Sequence, residues 1–196
     1  MIKKINKHSK MNVFSMLCLL TLSLFMVACD ETPPRDPEMY IIPDGYIGTF
    51  HIVYNVTDGQ PKKMQDGFRV YEIPENGVLL TQTGINSGWL DTKLIHFYYR
   101  KSNGELQDLT DRYTTRVANT PESRAENSTT IYGGGLGSAE YRFIPCVLVS
   151  KLFHIGTNKD ILDGENHVEL QNVDVIKNIN CTGLEANSLY NPDLEP

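Results

Sequence analysis

The chain has 196 residues, of which 18 are basic and 24 acidic, so its formal net charge is −6. Removal of the leader predicted below would take away four lysines and no acid, leaving 14 basic against 24 acidic residues and a charge of −10. Such a surface repels nucleic acids and anionic lipid headgroups, and the composition therefore argues against both as partners.

Residues 1–28 have the pattern of a cleaved secretory signal peptide. Four lysines lie among the first ten residues without an acid, and a mainly apolar run follows over residues 13–28. This run is shorter than the roughly 20 residues that a helix needs to cross a bilayer. We therefore expect a signal peptide that is removed, rather than a transmembrane helix.

The end of the leader, Met26-Val27-Ala28-Cys29, resembles the lipobox of bacterial lipoproteins, although Met26 stands where that motif usually has Leu. The resemblance implies cleavage before Cys29 and a lipid, such as palmitate, on its thiol. The protein would then be held on a bacterial membrane, facing the periplasm or the outside, and Asp30 resembles the signal for inner-membrane retention in enteric bacteria. The alternative is an ordinary secretory signal that happens to be followed by cysteine.

Residues 29–38 contain three prolines and several acids but no large apolar run, which is typical of an extended linker. We expect a stalk that lifts the folded part roughly 25 Å from the membrane if it adopts polyproline II geometry. The folded part is expected to be one β-rich domain over residues 39–185, followed by a tail at 186–196.

Alternating apolar residues predict a strand over residues 46–56, the longest period-two run in the chain. Two more strands are predicted at 68–73 and 78–82, joined as a hairpin by Asn76-Gly77, and another at 94–100, which Asn103-Gly104 joins to a strand at 105–109. Short strands without amphipathic helices between them indicate a mainly β fold. We expect an antiparallel β-sandwich, prealbumin-like, immunoglobulin-like or similar.

The second half of the domain has weaker patterns. Residues 110–128 are polar and predict a long surface loop, whereas 141–149 and 167–176 predict strands and 159–162 leaves a helix open. Cys146 and Cys181 would be the two remaining thiols of an exported protein, and we expect them to pair. The closed loop would contribute roughly 3–4 kcal/mol of stability; two buried free thiols are the alternative.

No residues have the spacing of a known catalytic, cofactor or metal site. The run Gly133-Gly134-Gly135-Leu136-Gly137-Ser138 lacks the lysine of a phosphate-binding loop and predicts a hinge or a sharp bend. The histidines after the leader are far apart in sequence, at positions 51, 96, 154 and 167. His51 and His96 would form a site only if strands brought them together beside a carboxylate such as Asp91.

Several short motifs resemble a family of uncharacterised bacterial lipoprotein and secreted domains. They are Ile42-Pro43-Asp44-Gly45-Tyr46-Ile47-Gly48, the Ile73-Pro74-Glu75-Asn76-Gly77-Val78-Leu79 segment, Gly88-Trp89, and Phe97-Tyr98-Tyr99, within residues 40–110. The resemblance implies export and a β architecture but no activity. Trp89 after Gly88 would cap the core, or it would form an exposed binding patch with Tyr98 or Tyr99.

These observations favour a membrane-anchored accessory protein of the cell envelope that acts by binding, without catalysis and without a cofactor. Its partners would be the membrane, through the lipid on Cys29, and another envelope protein. Three alternatives remain open: an immunity lipoprotein that neutralises a toxin, an envelope hydrolase whose site is assembled only by the fold, and a purely structural envelope component.

Overall fold

The computed structural model describes residues 35–86, 88 and 91–182. The predicted signal peptide, Cys29, Trp89, most of the stalk and the tail at 186–196 lie outside these residues. The described part is mainly β, as the sequence predicts, with a few short helices.

In the part of the chain that the structure describes, ten strands, numbered in chain order, form two five-stranded sheets. Sheet 1 has the order β3-β4-β1-β6-β7, and its strands are β3 (Met64–Gln65), β4 (Phe68–Glu72), β1 (Glu38–Pro43), β6 (Ile95–Arg100) and β7 (Leu106–Asp108). Sheet 2 has the order β5-β2-β10-β9-β8, and its strands are β5 (Val78–Leu80), β2 (Gly48–Val53), β10 (Val147–Gly156), β9 (Thr130–Glu140) and β8 (Tyr113–Thr114).

Both sheets are mixed, so the prediction of an antiparallel arrangement is wrong. β1 runs parallel to both β4 and β6, and β2 runs parallel to β5. The reason is the path of the chain, which leaves one sheet for the other and then returns beside the strand it left. A parallel neighbour needs such a crossover, whereas a tight turn can only make an antiparallel one.

The predicted hairpin through Asn76-Gly77 is also wrong, although its two strands and its turn are present. β4 lies in sheet 1 and β5 in sheet 2, so the turn carries the chain between the sheets. Gly77 has a φ of +74°, and its carbonyl accepts a hydrogen bond from His51 N of β2 at 2.7 Å. The turn is therefore docked on sheet 2. By contrast, the hairpin through Asn103-Gly104 is confirmed, since β6 and β7 pair antiparallel.

One core cluster contains buried residues of both sheets, with an aromatic centre at Tyr40. The register places Tyr40 beside Tyr71 and Phe97 of the flanking strands, and its ring stacks on theirs with centroids 5.2 and 5.0 Å apart. The ring of Phe153 from sheet 2 meets Tyr40 edge-on at 4.8 Å. Such aromatic pairs each contribute about 0.5–1.5 kcal/mol beyond their area burial.

A second apolar cluster covers the other face of sheet 2. Val53 and Leu148 of the sheet pack there against Leu170 and Ile176 from the C-terminal segment. The predicted strand over 167–176 is wrong, because Leu170–Asn172 is a 3-10 turn and Asp174–Lys177 a short helix. Apolar clusters cover both faces of sheet 2, and every residue of β2 is therefore buried.

The disulfide between Cys146 and Cys181 is present, with a Cα–Cα distance of 5.7 Å. It ties the C-terminal segment to the residue that immediately precedes β10. Both cysteines belong to or pack against the second apolar cluster. The bond therefore closes a covalent loop around the segment that covers sheet 2.

Residues 35–182, where described, contain three short α-helices, namely α1 (Pro121–Ala125), α2 (Asn158–Asp163) and α3 (Asp174–Lys177). The helix left open at 159–162 is confirmed by α2, whose N-terminus has a capping box between Thr157 and Asp160. The predicted loop at 110–128 contains a 3-10 turn, β8 and α1. Within the described residues, no helix is long and apolar enough to cross a membrane.

The predicted strand at 141–149 is displaced, and the glycine run is itself part of a strand. The connection between β9 and β10 occupies residues 141–146, and the run at 133–138 lies within β9. A Cβ on Gly133 would lie 2.5 Å from the carbonyl oxygen of Leu152, where the register of the pair shifts. This glycine thus permits close approach of β10, instead of forming the predicted hinge.

The end of the predicted stalk is part of the domain. Asp36 accepts a hydrogen bond from Arg69 at 2.7 Å, and the Pro37 carbonyl accepts one from the backbone of the same arginine at 2.8 Å. Glu38 is the first residue of β1 and is buried. The folded domain therefore begins before residue 39, earlier than the sequence predicts.

Candidate functional site

A shallow groove lies where three parallel strands of sheet 1 end. β4, β1 and β6 finish side by side at Glu72, Pro43 and Arg100, and the groove between these ends has a volume of about 430 Å³. Its walls come from two similar motifs, Ile42-Pro43-Asp44 and Ile73-Pro74-Glu75. The Ile73 N–H donates to the Ile41 carbonyl at 2.8 Å, which holds the motifs together.

Both prolines have the same effect on the sheet. Proline has no N–H to donate to a neighbouring strand, so pairing stops at its position. Pro43 is the last residue of β1, and Pro74 follows the end of β4. Adjacent strands therefore end at the same level and leave a recess beyond the strand ends.

The groove has charges of both signs on its rim. Glu72 accepts hydrogen bonds from Lys63 at 2.5 Å and from Arg100 at 2.9 Å, and Asp44 accepts one from Lys101 at 2.6 Å. The hydrogen bonds from Lys63 and Arg100 lower the pKa of Glu72 below its usual value. These side chains are partly exposed, so the rim offers both donors and acceptors to a ligand.

A half-buried aromatic strip lies on the same outer face of sheet 1, on the strands that form the groove. His96 is flanked by Phe68, with ring centroids 4.9 Å apart, and by Tyr98, at 6.3 Å. Tyr98 is partly exposed. The predicted patch of Trp89, Tyr98 and Tyr99 is wrong for Tyr99, because successive residues of a strand point to opposite faces. Tyr99 is buried in the core, and its hydroxyl donates to the Tyr46 carbonyl at 2.8 Å.

A buried ion pair joins the two sheets. Lys151 of β10 donates to both carboxylate oxygens of Glu38 of β1, at 3.0 and 2.7 Å, and lies 3.1 Å from the Tyr40 hydroxyl oxygen. Tyr40 and Asn86 also donate to the Glu38 carboxylate, at 2.7 and 3.0 Å. The side chains of Lys151 and Glu38 are only 5% and 2% exposed.

The electrostatics of this pair favour a charged, fully bonded state. Burial raises the pKa of Glu38, but the charge and hydrogen bonds of Lys151, together with the bonds from Asn86 and Tyr40, outweigh it and leave the pKa below its usual value. Burial lowers the pKa of Lys151, and Glu38 opposes that effect. Beside the pair, the space lined by Arg35, Glu38 and Asn86 is too small to hold a water molecule.

This geometry gives Lys151 a structural role, because it holds the side chains of Glu38 and Tyr40 in place. Its ammonium directs its protons at Glu38 and Tyr40, leaving no donor aimed at an open cavity in the described structure. The sequence contained a signal for this pair, because Lys151 shares the parity of the core residues Val149 and Phe153. Glu38 falls within the predicted stalk at residues 29–38, so the sequence does not identify the partner of Lys151.

The histidines do not form the site that the sequence left open. His51 lies on the outer face of sheet 2, where its Nε2 is 2.8 Å from the Val168 carbonyl oxygen, and His96 lies on the outer face of sheet 1. Burial lowers the pKa of His51 and of His154, and neighbouring His167 lowers both further. Among the described residues, no group of three or more potential ligands is placed to hold a metal.

The comparisons with known proteins supply a family but no activity. No curated protein matches the chain. A crystal structure of a "Putative Lipoprotein from Bacillus anthracis" is similar, with 16% identity and a TM-score of 0.47, over 72% of this chain and 87% of that one. Residues 34–138, more than half of the chain, match the model of a family of unknown function, DUF6843. The chain therefore belongs to this family of unknown function.

Proposed function

We propose that this protein is a lipid-anchored accessory protein of the bacterial cell envelope, with a β-sandwich domain that binds another envelope protein through the outer face of sheet 1. The observation that carries the proposal is the groove at the ends of β4, β1 and β6. It combines a recess, a rim of both charges and a neighbouring aromatic strip. Partly exposed aromatics beside polar rims are typical of protein interfaces.

The groove and the predicted linker lie at opposite ends of β1, an arrangement that suits a binding module tethered to a membrane. The predicted linker leads to the start of β1, and the groove lies at the end of the same strand, about 17 Å away at roughly 3.3 Å per residue. Six peptide steps separate Cys29 from Arg35, and they reach about 20 Å at most. A tether of that length would keep the domain close to the membrane, with the groove at the opposite end of sheet 1.

Binding is a better account than catalysis because the buried Lys151–Glu38 ion pair is already engaged with its neighbours. Lys151 is bonded to Glu38 and Tyr40, and the space beside Glu38 among the described residues is too small to hold a substrate. The groove, in turn, is lined by ion-paired side chains on an open surface. A hydrolase would require a base or nucleophile facing bound substrate.

The experiment is site-specific photocrosslinking in intact cells. A photoreactive phenylalanine analogue placed at Tyr98 should form a discrete adduct with another envelope protein, and the charge reversal Arg100→Glu should remove that adduct. The same analogue at Phe143, which is 48% exposed in the connection before β10, is the matched control. The proposal fails if Tyr98 gives no adduct, or if the Phe143 position gives the same adduct.

A further inference from the structure

We propose that the outer edge of β9 is a self-association surface, at which β9 of a second copy of this chain adds as an antiparallel strand. The edge begins beyond Tyr132. Among the described residues, β8 pairs with β9 only at Ile131 and Tyr132, so the following eight residues of this 11-residue strand have a sheet neighbour, β10, on one side alone.

The two edge strands of sheet 1 are protected, and this contrast distinguishes β9. Natural proteins guard edges with very short strands and charged side chains. β3 has two residues and is preceded by Lys62 and Lys63, whereas β7 has three residues, including Asp108. In β9, residues 130–139 contain no charge and no proline.

The glycines of this edge fall into two groups with different explanations. Gly133 and Gly134 have positive φ and meet β10 or Tyr113 closely, so the fold itself requires them. Gly135 and Gly137 have no positive φ, and a Cβ there would meet nothing within 4 Å. The fold does not need glycine at these two positions. A strand without side chains, however, lets another backbone approach closely.

A second copy fits this edge by charge as well as by shape. In an antiparallel pair centred on Leu136, Glu140 lies opposite Tyr132 of the second copy, so no like charges face each other. Leu136 and Tyr132, which are 38% and 39% exposed, add apolar area. The chain carries a net negative charge, and a neutral strip lets two copies meet without charge repulsion.

Cysteine crosslinking of the full chain in membranes of expressing cells tests this proposal. With Cys146 and Cys181 paired and Cys29 acylated, Leu136→Cys would supply a free thiol at the edge. Leu106→Cys on β7 is the matched control, because Leu106 is also on an edge strand and is 41% exposed. We expect at least about five-fold more disulfide-linked dimer from Leu136→Cys, since facing residues near the two-fold axis come within disulfide range.

Adding Gly137→Lys should abolish the dimer, because two lysines would then lie near one another at the axis, and the fold has room for the side chain. Persistence of the Cys146–Cys181 bond verifies that this variant is folded. Equal dimer from both cysteine variants, no dimer from Leu136→Cys, or an adduct with a different protein would each overturn the proposal. A Leu136→Cys thiol that stays monomeric and resists alkylation would also overturn it, since another segment would then cover the edge.

Discussion

Lys151 and Glu38 form a buried ion pair that connects β10 of one sheet to β1 of the other, with N–O distances of 3.0 and 2.7 Å. The pair lies at the entrance of the domain, two residues after Asp36 contacts Arg69. The pair therefore connects the start of the folded chain to a strand more than a hundred residues later.

Removal of one partner of this pair should destabilise the domain strongly. Lys151→Met leaves the Glu38 carboxylate buried without its cation, which typically costs about 3–5 kcal/mol. The double variant Glu38→Leu with Lys151→Met should recover most of that loss, because no charge is then left buried. Urea unfolding of the three proteins measures the effect. A single variant with wild-type stability would contradict this account.

Acid should weaken the same contact. The pKa of Glu38 is lower in the folded protein than in the unfolded chain, so its contribution is present above the unfolded pKa and is lost as the pH falls through the folded one. Urea midpoints should therefore decline below about pH 4.5 more steeply in wild type than in the double variant. Parallel declines in both proteins would show that other groups cause the acid sensitivity.

His51 should make folding sensitive to mildly acidic pH. Burial and neighbouring His167 lower its pKa, so the unfolded chain binds a proton more readily than the folded one. Stability should consequently fall as the pH drops below about 6.5. In His51→Gln, an amide can still donate to the Val168 carbonyl, and the loss between about pH 7 and pH 5 should shrink. An NMR titration giving His51 a pKa above 6.5 would refute the prediction.

The disulfide should hold the C-terminal segment on sheet 2. Its partners are 35 positions apart, for which the chain-entropy relation gives roughly 3–4 kcal/mol. Replacing Cys146 and Cys181 by Ser should lower the unfolding temperature and speed proteolysis at residues 164–182, while β1 to β7 stay protected. Limited proteolysis followed by mass spectrometry measures both regions. Uniform loss of protection would mean that the segment is not a separate covering unit.

The features that the sequence predicted well are local. β6 and β7 flank Asn103-Gly104, whose geometry joins them into a hairpin, and Thr157 with Asp160 caps α2 within one turn. Such patterns depend on neighbouring residues, so they can be interpreted from short windows of sequence.

The features that were missed depend on contacts between distant residues. Asn76-Gly77 forms the expected turn, but the bond from His51 N directs the next strand into the other sheet. The groove arises because Pro43 and Pro74 end neighbouring parallel strands, a relationship that no short window shows. Lys151 was recognisable only as a charge at a core position, and its partner lay in the predicted stalk.

The central claim, that Cys29 tethers this domain to a membrane through a lipid, is tested most directly by metabolic labelling with a fatty acid and fractionation of the cells. We expect the wild-type chain to be labelled and to sediment with membranes. Cys29→Ser, with Cys146 and Cys181 intact, should be unlabelled and should either keep its leader or appear in the soluble fraction. A Cys29→Ser protein that is processed, labelled and bound to membranes like wild type would contradict the account.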